Sequence, residues 1–181
     1  MMTGVVMLFS ALAAGFMQGL LPGPAWLGQA RWPLLLGVVL YYALQRNTVT
    51  MLTAAVLAGF VQDALSAVPL GYSACAFVAV GWGAAHFRQL VLSEALVTQA
   101  FFGLTGSALA NLLIYLLLRK DALVVLSAGQ VVLKLAGTAM LGVVSTPLIF
   151  NLAGRLDRLA GNIDTAKDVE GTDGELDGFA E

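Results

Sequence analysis

Apolar residues run along this chain in long blocks separated by short polar or turn-forming stretches. The blocks are too continuous for the alternation of a membrane barrel strand, so they predict helices. From Met1 no charged residue appears until Arg31, and Ala95 to Leu118 is a second uncharged run of 24 residues. As a helix that second run is about 36 Å long, enough for a hydrocarbon core of about 30 Å. The breaks then set the elements. Residues 3–21 form a first span, ended by Pro22, Pro24 and the charge of Arg31, with Trp26 and Trp32 placed as interfacial aromatics. Residues 33–45 and 48–62 form spans two and three, both short for a bilayer, so local thinning or shielding by neighbouring helices is expected. Span four covers 71–86 and span five 95–118.

The last apolar interval, Ala122 to Gly154, is 33 residues, or about 50 Å of helix, too long for one upright crossing. Ser127, Gln130 and Lys134 share one helical face. An amphipathic start over 122–133 followed by a crossing over 134–153 is therefore predicted. The expected fold is all-α, a polytopic membrane bundle of six transmembrane helices in a single domain over 1–160. From Asp164 to Glu181 there are seven acids and one base, Lys167, among glycines. Such a segment buries too little apolar surface to fold, and 161–181 is expected to be a disordered acidic tail.

Composition agrees with this pattern. The chain is 59% hydrophobic and 11% charged, with a mean hydropathy of +0.87, outside the range of soluble globular domains. The first 21 residues lack a basic n-region and flow into the Pro22–Pro24 turn, so a retained span is expected rather than a signal peptide. Six spans put both termini on one side. With cytoplasmic termini, Arg46, Arg88, Arg155 and Arg158 lie inside and Arg31, Arg119 and Lys120 outside, an orientation consistent with the positive-inside bias. A multi-pass protein of the bacterial cytoplasmic membrane is expected, with the lipid bilayer as its surroundings and no nucleic-acid partner.

Candidate chemistry is sparse. The single cysteine, Cys75, lies in an apolar segment and reads as a small core residue. The single histidine, His86, has no Cys or acid at ligand spacing, so no metal site is expected. No nucleophile elbow, phosphate-binding glycine loop or paired-acid motif occurs, and an enzyme would have to work with Asp63 and Glu94. Neither catalysis nor a cofactor is expected.

Asp63 is the residue that asks for an explanation, because it ends an apolar run six residues before Pro69. It could mark the water interface and cap the turn that leads to span four. Alternatively it could pair at membrane depth, since an unpaired acid costs at least ~2.5 kcal/mol near the centre of a span. The partner would then be Lys134, at similar depth in six spans, or a basic residue of another protein. Two stripes suggest helix contacts: Ala11, Gly15 and Gly19 on span one, and Gln99, Gly103, Ser107 and Asn111 on span five, each at four-residue spacing. The second stripe suits either packing or a substrate path. The segments AGFMQGLL at 14 and AGFVQDAL at 58 match at five positions with an offset of 44. Either coincidence or a parallel duplication of two helices each accounts for them.

The runs RWPLLLGVVLYYAL at 31–44 and GFVQDALSAVPLGYSA at 59–74, with Arg88 after the next span, resemble the MreD family of bacterial rod shape-determining membrane proteins. The similarity covers about 17–160, and its most specific piece is Gly59, Asp63, Leu65, Ser66, Pro69, Leu70 and Gly71. The resemblance implies a non-enzymatic subunit of the cell-elongation machinery that binds the bitopic protein MreC. Through MreC it implies association with MreB filaments, RodA and a class B penicillin-binding transpeptidase that build sidewall peptidoglycan. It also implies a bundle similar to the substrate-binding subunits of energy-coupling-factor transporters. The rival expectation is transport: a solute-binding subunit of such a vitamin transporter, with Gln99, Ser107, Asn111, Gln130 and Asp63 lining a polar cavity.

Overall fold

The computed structural model describes residues 2–24, 30–66, 68–88, 95–121 and 128–159. Trp26, Glu94, residues 122–127 and the acidic segment 161–181 lie outside the described residues. Six helices follow one another: α1 (Met2–Leu20), α2 (Leu34–Gln45), α3 (Thr48–Ala64), α4 (Tyr72–His86), α5 (Leu96–Lys120) and α6 (Ala128–Leu159). No strand occurs among the described residues. Two helices are long and apolar enough to cross a membrane, Leu96–Lys120 and Gly129–Asp157. Shorter apolar helices cover Gly4–Leu20, Leu34–Gln45 and Thr48–Ala64.

The bundle is organised around α2. Its sequence, LLLGVVLYYALQ, is apolar on every side until the final glutamine, and every residue from Leu34 to Leu44 is buried. A helix with no polar face has to be enclosed, and α2 contacts all five other helices. At 12 residues it is about 18 Å long, so the neighbours shield its whole length. The core gathers on it: Leu35, Val39 and Leu40 meet Met51, Ala54 and Ala58 of α3, Phe77 and Val80 of α4, and Ile149 and Phe150 of α6.

The helices alternate in direction, so the molecule has two ends. The near end holds the start of α1 and the ends of α2, α4 and α6; the far end holds the ends of α1, α3 and α5 and the starts of α2, α4 and α6. Side-chain contacts fit this arrangement. Gln18 meets Gln62 at the far end, and Tyr41 meets Asp157 at the near end.

Glycines set the closest crossings. A Cβ on Gly59 would collide with the backbone of Ala74, so α3 and α4 approach there only because position 59 has no side chain. On α5 and α6 the requirement is reciprocal. A Cβ on Gly103 would strike the Gly142 carbonyl and Thr146, and one on Gly142 would strike the Gly103 carbonyl and Ser107. Small residues at a crossing let backbones approach and gain dispersion contacts that bulkier residues would forbid.

The structure departs from the sequence-based expectation at α6. No surface segment ends near residue 133 within the described part; one helix runs from Ala128 through Leu159 and contains Pro147. Its 32 residues make about 48 Å of helix. Gln130 and Lys134 lie on the same stripe as Thr138, Leu141, Ser145 and Ile149, exposed in the first turns of the helix and buried from Thr138 onward. The polar stripe thus belongs to the helix that packs on α5, not to a separate surface element.

Gly142→Val should lower the melting temperature of the detergent-purified protein well below that of Gly4→Val, because nothing lies within 4 Å of a Cβ at Gly4. Overpacking of this kind costs about 1–3 kcal/mol. Thermal unfolding followed by size-exclusion chromatography checks it, and equal melting temperatures would show that α5 and α6 do not pack at this crossing.

Candidate functional site

The far end carries the residues singled out in the sequence. Asp63 lies in the last turn of α3 and is 2% exposed. Its Oδ2 accepts the Gly71 amide at 2.7 Å and its Oδ1 accepts the Ser73 amide at 3.2 Å. Gly71 is the residue before α4 and has φ 102°, a left-handed conformation that a residue with a Cβ adopts at a cost of about 1 kcal/mol or more. Gly71 has no side chain with which to cap its own helix, so the amides of the first turn of α4 need an acceptor from elsewhere. Asp63 supplies it, and its charge faces the positive end of the α4 dipole. The α3–α4 corner is closed by two further bonds, Ser66 N–H to the Asp63 carbonyl at 3.1 Å and Cys75 N–H to the Gly71 carbonyl at 2.9 Å.

Gly59, Asp63 and Gly71 therefore share one purpose, a tight antiparallel corner. Ser66 accepts a hydrogen bond from Arg31 Nη1 at 2.9 Å, which also reaches the Leu65 carbonyl at 3.5 Å. Pro69 and Leu70 are exposed at the tip, Leu70 at 70%. The pairing of Asp63 with Lys134 is not formed. Lys134 is exposed on α6, and the one ion pair among the described residues lies elsewhere. The physical reason is that the acid already has its counter-charge in the backbone: two amides and a helix dipole do what the lysine was invoked to do.

The two small-residue stripes divide. Ala11 is buried, and a Cβ on Gly15 would press on Val61 of α3 and Leu65 just after it and touch Leu35 of α2. Gly19 is exposed with nothing within 4 Å, so the stripe on α1 stops one turn short. On α5, Gln99, Gly103 and Ser107 are buried and the last two pack on α6, while Asn111 is half-buried and donates to the Ser107 carbonyl at 2.9 Å. Cys75, expected in the core, is exposed because it lies on the outer side of α4. The matching segments of α1 and α3 run side by side: Gln18 Nε2 donates to Gln62 Oε1 at 2.7 Å, joining residues related by the offset of 44. Gln18 Oε1 also accepts the Leu35 amide at 3.3 Å, satisfying an orphan donor in the first turn of α2.

Between these elements lies a cavity of about 320 Å³, half open at the far end. Its polar lining includes Gln18, Gln62, Asn111, Arg31 and Lys134, and its apolar wall includes Trp32, Leu36 and Phe77. No acid lines it. Asp63 is turned toward α4, and Asp121 accepts the hydroxyl of Tyr72.

The near end holds a site that sequence reasoning missed. Asp157 is 5% exposed. Its Oδ2 accepts the Tyr41 hydroxyl at 2.9 Å and pairs with Arg46 Nη2 at 2.9 Å. Arg88 donates to the Arg46 carbonyl, so the ends of α2, α4 and α6 are tied together. Tyr41 is held by edge-on contacts with Tyr42 and Phe150, ring centroids 5.3 and 5.4 Å apart. The signal was present: Phe150, Ala153 and Asp157 follow the three- and four-residue spacing of a buried stripe. The crossing expected over 134–153 stops short of Asp157, which the helix carries to Leu159.

No family model matches the chain, nor does any curated protein or solved structure.

Asp63→Leu should destabilise the purified protein by about 2–3 kcal/mol, because two buried amides lose a charged acceptor. Asp63→Asn, which keeps one acceptor oxygen, should cost about 1 kcal/mol, and Lys134→Gln should stay within about 0.5 kcal/mol of wild type. Reversible unfolding in mixed micelles with a double-mutant cycle measures all three. A coupling of 1 kcal/mol or more between positions 63 and 134 would restore the acid–lysine pair.

Proposed function

We propose that this chain is a six-span, non-enzymatic subunit of a bacterial cell-elongation complex, resembling MreD and working as a binding platform in the cytoplasmic membrane. The observation that carries the reading is the α3–α4 corner. The block that bears the family resemblance, Gly59 to Gly71, builds a rigid turn whose buried acid holds α4 in place while Leu65 and Leu70 point outward. A rigid end that displays apolar side chains suits docking of another membrane protein better than it suits catalysis.

Membrane placement of all six helices is supported by the outer surface. Large apolar side chains are exposed all along the bundle, among them Phe9 and Phe16 of α1, Val97 and Phe101 of α5, and Met140 and Val144 of α6. A surface of this composition is solvated by lipid and would drive aggregation in water. The shortness of α2 is consistent with this placement, since its neighbours rather than lipid surround it. In the six-span reading the near end, with Arg46, Arg88 and both termini, faces the cytoplasm.

The partner in this proposal is an MreC-like bitopic protein, and through it MreB, RodA and a class B penicillin-binding transpeptidase. A second reading, the solute-binding subunit of an energy-coupling-factor type vitamin transporter, is favoured by one observation, the half-open polar cavity at the far end.

Co-purification in mild detergent of the tagged full chain separates these readings. The MreC-like protein should be recovered with wild type and lost with Leu70→Asp, whose side chain is exposed at the tip. Recovery of an ATPase coupling module in its place would overturn the elongation reading in favour of transport.

A further inference from the structure

The far-end cavity has a chemical bias. Two cationic side chains line it from different elements, Arg31 before α2 and Lys134 on α6, together with the side-chain amides of Gln18, Gln62 and Asn111. Among the described lining residues there is no carboxylate. Among the described residues Lys134 has no ion pair and no side-chain hydrogen bond, and Arg31 has no ion pair but donates through Nη1 to Ser66 Oγ and the Leu65 carbonyl, whereas Asp63 is occupied by α4 amides, Asp121 by Tyr72, and Gln18 and Gln62 by each other. Trp32 forms part of the cavity wall. Leu36, Phe77 and Ile114 add apolar lining.

We propose that this cavity binds an oxyanion headgroup carried on a small apolar or glycerol body, the anion held between Arg31 and Lys134. A guanidinium and an ammonium around one space, with no acid among its described lining residues, are the complement of a phosphate or carboxylate. The volume of about 320 Å³ lies at the lower limit of ligand pockets and admits a headgroup, not a whole lipid. Bulk anionic lipid and a free phosphorylated solute both present this chemistry. The inference rests on the six-span reading for access from the membrane surface, and not on which protein partner binds.

Trp32 provides the readout. The chain has three tryptophans, and Trp26→Phe/Trp82→Phe leaves Trp32 as the single emitter in the full-length protein in neutral maltoside detergent. The probes are glycerol 3-phosphate and short-chain dihexanoyl phosphatidylglycerol, with the maltoside as a neutral control. A saturable change in Trp32 emission is expected with at least one probe. A response to glycerol 3-phosphate identifies a free solute site, and a response to the lipid alone identifies a headgroup site. Arg31→Gln and Lys134→Gln should each weaken binding roughly tenfold, and Lys134→Arg should restore it, which separates loss of charge from loss of fold. No saturable response to either probe overturns the proposal, as does undiminished binding in the correctly folded Arg31→Gln/Lys134→Gln protein. Because the readout is binding, failure here leaves the partner reading standing.

Discussion

The enclosure of α2 is the constraint on which the rest of the molecule depends. A short helix without a polar face has its ends inside the bundle or close to its edge, where unsatisfied amides and carbonyls are costly. The caps that a soluble helix finds in its own sequence are missing here: Pro33 precedes α2 and offers no side-chain acceptor. Neighbouring helices answer instead. Gln18 of α1 accepts the Leu35 amide, and Arg88 beyond α4 donates to the Arg46 carbonyl. The same solution recurs at α4, where Asp63 takes the place of a local cap. Gln18 and Asp63, which look out of place in apolar runs, thus serve the backbone of another helix.

This distribution gives the two ends different characters. At the near end an acid, an arginine and a tyrosine close on one another, and the arginine of the following loop completes the tie. A buried pair of this kind adds modest stability, but removing one partner strands a charge, so the arrangement enforces one packing of α2 against α6. At the far end, by contrast, the acid is withdrawn into the corner and the cations are left facing an open space. One end is closed by side-chain contacts and the other is open, with Leu65 and Leu70 exposed near a cavity that Arg31 and Lys134 line.

Much of the fold was legible because helix breaks in this chain are strong. Pro22 and Pro24, the Arg46–Asn47 pair and the Pro69–Gly71 turn each stop an apolar run, and α2, α3, α4 and α5 fall where those breaks put them. The course of α6 was not legible, since Ser127, Gln130 and Lys134 follow the spacing of a surface helix whether or not the helix continues. Asp63 stood out, yet its partner did not, because hydropathy shows only side chains and the partner is the backbone of α4. Asp157 fell beyond the crossing expected over 134–153, although its spacing from Phe150 and Ala153 places it on the buried face. Pairwise depth was the shared gap: a single sequence orders the helices along the chain but does not say which of them is enclosed, and the central place of α2 follows from contacts among all six.

The most direct test of this account is the accessibility of single cysteines in the full chain carrying Cys75→Ala, using a membrane-impermeant maleimide on spheroplasts. With Val39→Cys, Asn47→Cys and Leu70→Cys in turn, position 70 should react from outside and position 47 only after the membrane is opened. Position 39, at the middle of α2 and 0% exposed, should react only after denaturation. Reaction of position 39 in the native membrane, or of positions 47 and 70 from the same side, would contradict a bundle built around an enclosed α2 with its two ends on opposite faces.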